Sequence, residues 1–265
     1  MERCNHPKMP SGRQKRAAGA KRRGGMAFFD LHTHILCGVD DGAQNEEMMH
    51  EMLRIAYEDG TRAICLTPHF SPYLFGDTSE SSKRAFERLR EYAAETYPDL
   101  SLYLGHELGY YDSCVQALND GRCRTLSGSR YLLVDFPAPV SFFELRKAME
   151  RLLQLGYRPV LAHAERYRSL WNRIGWLRGF VENGGVIQLN AGSADGVYGR
   201  FEKRQWKRFL KHGLVHLVSS DGHNTDTRAP RISACLPILQ KYCTPEEIER
   251  LTWSNALTIV KNGWL

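Results

Sequence analysis

A chain of 265 residues with 42% apolar and 25% charged residues can bury one large core, and no stretch of it approaches the roughly 18 apolar residues that a membrane span requires. The net charge of +6 does not imply a nucleic-acid partner, because residues 1–25 hold eight Lys/Arg (Arg3, Lys8, Arg13, Lys15, Arg16, Lys21, Arg22, Arg23) against Glu2, and the remainder holds 28 basic and 29 acidic residues. Seven cysteines, an odd number without a CxxC pair, fit neither a disulfide framework nor a thiolate zinc site and suit a reducing cytoplasm.

The basic segment 1–25 has no apolar h-region, so it reads as a disordered extension rather than a secretory signal. Residues 26–265 then form a single domain. Strand-length apolar runs follow at Ala27–Leu31, Ala63–Leu66, Leu102–Leu104, Tyr131–Phe136, Pro159–Ala162, Gly185–Leu189 and Leu214–Val218. Between them lie helical stripes: Met49, Met52, Leu53, Ala56 and Tyr57 recur at i, i+3, i+4, i+7 and i+8, and Phe142–Leu155 and Phe201–Leu210 read the same way. Gly60, Gly156, Gly184 and Gly213 each stand between a helix and the next strand, where a left-handed residue ends the helix. Seven alternating strand-helix units predict parallel strands, and a seven-stranded (β/α) barrel over an open doubly wound sheet. No GxGxxG or P-loop string supports nucleotide binding.

Side chains able to bind metals recur at the ends of these runs. His32 and His34 end the first, His69 the second, Glu107 the third, Asp135 the fourth, His163 the fifth, and Asp221 with His223 the seventh; Asn190 ends the sixth. Active sites of parallel barrels lie at the carboxyl ends of the strands, so residues far apart in sequence can converge there. Alternation along a strand puts His32 and His34 on one side and gives Asp30 the same parity. His106, beside Glu107, should face away, as should His216, of opposite parity to Asp221; His6, His50 and His212 fall in the tail or on helical surfaces.

The ordered set Asp30-Leu-His32-Thr-His34, Val39-Asp40-Asp41-Gly42, Thr67-Pro-His69, Gly105-His-Glu107, Ala162-His163-Ala-Glu165-Arg166 and Ser220-Asp221-Gly-His223 resembles the PHP (polymerase and histidinol phosphatase) superfamily. More narrowly it resembles the manganese-dependent protein-tyrosine phosphatases of bacterial capsule and exopolysaccharide clusters, from Met26 to the C-terminus. The resemblance implies a distorted TIM-like (β/α)7 barrel of the PHP type with about three divalent metals, Mn2+ foremost and Fe or Zn as substitutes. Its ligands would be His32, His34, Asp41, His69, Glu107, His163, Asp221 and His223, with Arg166 and Arg228 on the phosphate. Asp30 and Asp135 would support the ligands; Asp135 stands where the family usually has Glu, whose reach is longer. Asp221 or His223 would protonate the leaving phenolate. The implied substrate is a phosphotyrosine protein such as a polysaccharide-export tyrosine kinase, without stable nucleic-acid binding and with oligomeric state left open.

Clustered divalent ions suit phosphate-ester cleavage because they acidify a water that attacks phosphorus and clamp attacking and leaving oxygens together. The alternatives are a small-molecule phosphatase of the histidinol phosphate type, an exonuclease, an amidohydrolase, or a non-catalytic scaffold. The fourth run offers Asp135 and no Lys for an amidohydrolase's carboxylated lysine. A thiol-based tyrosine phosphatase needs Cys, five residues and Arg, a spacing that none of the seven cysteines has.

Overall fold

A computed structural model describes residues 26–137 and 139–265; the extension expected over residues 1–25 lies outside the described residues. Among the described residues nine parallel strands occupy seven barrel positions: β1 (Phe28–Thr33), β2 (Thr61–Leu66) continued by β3 (His69–Phe70), β4 (Ser101–Leu104) continued by β5 (Glu107–Gly109), β6 (Tyr131–Asp135), β7 (Arg158–Leu161), β8 (Val186–Asn190) and β9 (Leu217–Ser219). One sheet has the order β1-β2-β4 and the other β3-β5-β6-β7-β8-β9. The two short strands β3 and β5 were not anticipated. Pro68 lacks an N–H and breaks the second position, and Gly105-His106 breaks the third. Thr67 bridges the gap, its N–H donating to the Thr33 carbonyl (3.0 Å) and its hydroxyl accepting from the Thr33 N–H (3.0 Å).

Among the described residues there are ten α-helices: α1 (Glu46–Glu58), α2 (Ser79–Thr96), α3 (Cys114–Asn119), α4 (Phe142–Gln154), α5 (Ile174–Glu182), α6 (Ala191–Asp195), α7 (Arg200–Lys211), α8 (Leu236–Tyr242), α9 (Pro245–Glu249) and α10 (Asn255–Val260). Asn45 caps α1 through the Met48 N–H, and Ser141 with Glu144 forms a reciprocal capping box on α4. The four glycines expected to end helices all have positive φ, from 65° to 106°. No helix among the described residues is long and apolar enough to cross a membrane.

Alternation along the strands organises the interior. Tyr131 and Leu133 precede Asp135, Val186 precedes Gln188 and Asn190, Leu217 precedes Ser219 and Asp221, and Ala63 and Cys65 precede Thr67 and His69. The first members of these series join Phe29, Leu31, Val160 and Ala162 in one buried cluster, closed from below by Ala256, Ile259 and Val260 of α10. The later members face the mouth. The fold is thus an α/β TIM-like barrel in one domain, and its two sheets meet where the segment after β9 rejoins β1: Asp221 N–H donates to the His32 carbonyl and His34 N–H to the Gly222 carbonyl, both 2.9 Å.

Candidate metal centre

Two local departures from regular strand aim ligands at the mouth. On β1, Asp30 pairs with Ile64 and Thr33 with Leu66, so three steps oppose two and a bulge results. Leu31 can then face the apolar interior while the adjacent His32 reaches the site. Simple alternation fails here, and Asp30 does not share the histidines' face: it lies fully buried and accepts hydrogen bonds from the N–H (3.0 Å) and hydroxyl of Ser220 and from the His32 N–H. It thereby ties β1 to the loop that carries Asp221. At the other departures, His163 (φ 31°) and Asp221 (φ 52°) adopt left-handed backbone. A non-glycine residue pays for that conformation, and such strain concentrates where a side chain must be aimed.

The eight side chains named as ligands from the sequence lie together, in overlapping groups whose donor atoms fall within 4.8 Å: His34, Asp41, His69 and His223; His32, His34 and Asp221; His32, Glu107 and His163; His69, Glu107 and Asp135. Glu107, fully buried, is the hub. Its Oε2 lies 3.2 Å from His32 Nε2, 3.3 Å from His34 Nε2 and 3.1 Å from His69 Nδ1, and its Oε1 lies 3.0 Å from His163 Nε2. Asp221 Oδ1 approaches the same two Nε2 atoms of His32 and His34 at 3.4 and 3.5 Å. Asp41, half exposed at the rim, reaches His69 and His223, each at 3.5 Å.

Surrounding groups decide which imidazole nitrogens face inward. Gln188 Oε1 accepts from the His163 N–H (2.7 Å), so His32 Nδ1, 3.2 Å away, must be the donor to it. His34 Nδ1 donates to Asp40 Oδ2 at 2.8 Å, and His223 Nδ1 to the Asp221 carbonyl at 2.9 Å. His32 and His34 are left with Nε2 lone pairs facing each other across 3.2 Å. Two lone pairs at that separation repel unless a proton or a metal ion lies between them, and a ligand histidine anchored through its other nitrogen is the usual arrangement at metal sites. Glu107 Oε2 itself has no hydrogen-bond partner although buried, which also fits a cation.

The electrostatics point the same way. Burial alone would depress His32 and His34, yet Glu107 and Asp221 raise the first, and Asp40 with Glu107 holds the second well above its usual range. Burial would raise Glu107, but His32, His69 and His163 hold it well below the ordinary carboxylate range. Asp221 is likewise depressed despite burial, by His32, His223, His163 and Arg228. Glu107 and Asp221 stay ionised despite burial because positive charge surrounds them.

Arg228 Nη2 lies 2.9 Å from Asp221 Oδ2 and Arg166 Nη1 lies 3.5 Å from it. Arg166 ends the short 3-10 turn Ala164–Arg166 that His163 begins. Asp135 sits 3.6 Å from His163 Nε2 and accepts the Tyr167 hydroxyl at 2.7 Å. His106 points away, into contacts with Ser82 and the Arg124 N–H, and His216 contacts Ile187 backbone. Sequence reasoning missed Gln188 and gave no role to Asn190, which it placed at the end of the sixth run, or to Asp40 and Glu165, which it met only within the motifs; Asp40 also accepts from the His69 and Gly42 N–H groups. Asn190 donates to Asp221 Oδ2 (2.7 Å), and buried Glu165 accepts from the Asn190 N–H and the Ser193 hydroxyl. The signal for two of them was available, since Gln188 and Asn190 share the inward parity of the sixth run.

The family described as "Capsular polysaccharide synthesis, CpsB/CapC" matches residues 28–261. The tyrosine-protein phosphatase CpsB of Streptococcus pneumoniae is 31% identical over 238 residues, 88% of this chain and 98% of its own length. The tyrosine-protein phosphatase YwqE of Bacillus subtilis (strain 168) is 32% identical over 239 residues, 89% of this chain and 92% of its own. A crystal structure from work on YwqE of Bacillus subtilis and CpsB of Streptococcus pneumoniae, described as unique metal-dependent tyrosine phosphatases, superposes with a TM-score of 0.80 at 29% identity, covering 89% of this chain and 96% of that one. The chain belongs to the CpsB/CapC capsular polysaccharide synthesis family.

Proposed function

We propose that this protein is a metal-dependent protein-tyrosine phosphatase of the cytoplasm, acting on phosphotyrosine in a protein such as a bacterial tyrosine kinase of polysaccharide export. The observation that carries the reading is the Glu107 hub: one buried carboxylate meets four imidazoles, with Arg166 and Arg228 at its edge. Its donor groups offer places for about three divalent ions, held by His32, His34, Asp41, His69, Glu107, His163, Asp221 and His223, with Asp135 beside one of them. Imidazole and carboxylate without thiolate suit manganese, iron and zinc; manganese is the proposal, on the family likeness. Bound ions supply Lewis acidity toward a phosphoryl oxygen and toward water.

The chain's own residues do the rest. Planar guanidinium groups bind phosphoryl oxygens in pairs, and Arg166 and Arg228, tethered to the one Asp221 oxygen, are positioned for that. Asp221 is held ionised, with its Oδ2 saturated by Arg228 and Asn190, and His223, lowered by burial, spends its Nδ1 proton on the Asp221 carbonyl, so neither of the two acids expected for the leaving phenolate carries a spare proton while it ligates metal. The rim favours an aromatic ester: Phe75 stacks on His69 at 5.2 Å, and Tyr73 and Leu74 are exposed beside it. With manganese supplied, phosphotyrosyl peptide should be hydrolysed in preference to histidinol phosphate and single-stranded DNA. Failure on the peptide with turnover of either alternative would overturn the substrate class. Arg166→Ala should raise KM by about tenfold or more, and unchanged kinetics would remove Arg166 from the phosphate site.

A further inference from the structure

A groove of about 490 Å3 is lined by Arg166 together with Val140, Arg168, Tyr198 and Glu202, and by none of the metal ligands. The Arg168 guanidinium stacks on Phe201 at 4.4 Å, and among the described residues it makes neither a hydrogen bond nor an ion pair. Stacking fixes the group by its face and leaves its N–H edge free. The groove also borders the start of α7, which carries six cations and one acid, Glu202. None of these cations forms an ion pair among the described residues. Several surface arginines elsewhere are paired internally, among them Arg54 with Glu51 and Glu58, Arg62 with Asp99, Arg88 with Glu46, and Arg146 with Glu150.

We propose that this groove receives an acidic polypeptide segment flanking the phosphotyrosine, so that the enzyme selects phosphotyrosine set among Asp and Glu. The proposal rests on the phosphatase reading above and specifies its substrate. Arg166 belongs to both the groove and the phosphate position, so an extended chain leaving the phosphotyrosine can enter the groove within a residue or two, at about 3.3 Å per residue. Unpaired cations in one surface region create a field that draws in acidic segments. A nucleic acid fits less well, because Val140, Tyr167 and Tyr198 give the groove an apolar wall and Glu202 interrupts any continuous track for phosphates.

The test compares kcat/KM of the manganese-loaded full chain on phosphotyrosyl peptides of equal length, with Asp/Glu or with Ser/Gly on the N-terminal or the C-terminal side. The acidic peptide of one polarity should be favoured about threefold to tenfold in low salt, and the ratio should shrink as salt screens it. Arg168→Glu should bring the ratio to one or below, Arg168→Gln to an intermediate value, and Glu202→Gln should raise it. The neutral peptide serves as the internal measure of a folded, loaded enzyme. A wild-type ratio of one, or a ratio that survives Arg168→Glu, overturns the proposal while leaving the phosphatase reading intact; no turnover of either peptide defeats the parent reading. Binding of labelled single-stranded DNA that Arg168→Glu abolishes, together with a peptide ratio of one, would assign the groove to nucleic acid instead.

Discussion

The lower barrel and its mouth are built from the same seven strand positions, yet they obey opposite rules. Below, Phe29, Leu31, Cys65, Leu133, Val160 and Leu217 fill the interior with apolar volume, and burial there stabilises at about 25 cal/mol per Å2. One or two alternations further on, the inward positions are Asp135, Gln188, Asn190 and Asp221, also buried or nearly so, and none gains from losing water. The lower half pays the desolvation of the upper half. Stability and function are therefore separable along each strand, and substitutions should reveal the division.

The largest effect belongs to the mouth. Asp221→Ala removes a carboxylate facing His32, His34 and His223 and frees Arg228, and kcat/KM should fall by about 10^3-fold or more, since a cation at such a site supplies several kcal/mol. Added manganese should raise the Tm of the wild type and leave that of the variant nearly unmoved. Metal content and kcat/KM close to wild type would show that the donor cluster is not the reaction centre. Leu133→Ala makes the opposite cut: a fully buried side chain of β6 is lost, unfolding free energy should drop by roughly 2–5 kcal/mol, and the kinetics of the folded fraction should hold. Loss of turnover with unchanged stability would erase the distinction between the two halves.

Gly42→Ala joins the two regions in one experiment. A Cβ there would stand 1.9 Å from the His34 carbonyl oxygen, so the loop carrying Asp40 and Asp41 must move away from β1. Asp40 would then release His34 Nδ1 and the His69 N–H. Losing a partner that orients a ligand costs roughly 10–100-fold in activity or metal affinity, and stability should fall by about 1–3 kcal/mol. Chelation followed by manganese titration reads the first, denaturant unfolding the second. A variant weakened in only one of these would show that the loop serves only one region.

Much of this division can be read from the chain before any coordinates. The inward series Tyr131, Leu133, Asp135 and Leu217, Ser219, Asp221 announce a strand that is apolar at its start and polar at its end, and the stripe through Met49, Met52, Leu53 and Ala56 is the buried face of α1. What escaped has physical reasons. The two or three residues of β3 and β5 are too few for a period to show. The bulge before Thr33 and the left-handed backbone at His163 and Asp221 depend on contacts across the barrel: His and Asp are enriched among non-glycine residues in that conformation, but so few of them adopt it that residue type alone does not mark the positions. Gln188 acquires its role from His32, 156 residues away, and nothing in the neighbourhood of either residue announces the other.

The smallest expected effect lies between adjacent residues, His106 and Glu107, which share a chain segment and face opposite environments. Glu107 is kept charged by the histidines of the mouth. His106 is kept neutral: burial first, then the nearby Arg124, pushes it down to about 3, and its Nδ1 accepts from the Arg124 N–H at 2.9 Å while Nε2 meets the Ser82 hydroxyl at 3.2 Å. In the unfolded chain the same ring titrates near 6.5. Above pH 6.5 both states are neutral at this ring and it adds no pH dependence; below it the unfolded chain binds a proton that the folded one refuses, so stability declines as pH falls from 6.5 toward 3. Between pH 6.5 and 5.5 the loss from this group should be about 1 kcal/mol. His106→Asn keeps an acceptor for Arg124 and cannot be protonated, so the difference in unfolding free energy between wild type and variant should shrink by that amount over the same interval, measured by denaturant titration of the metal-free protein at each pH. Parallel pH dependences for the two proteins would mean that the pocket admits the imidazolium, and that the contrast between the wet mouth and the dry packing outside it is weaker than the burial of His106 implies.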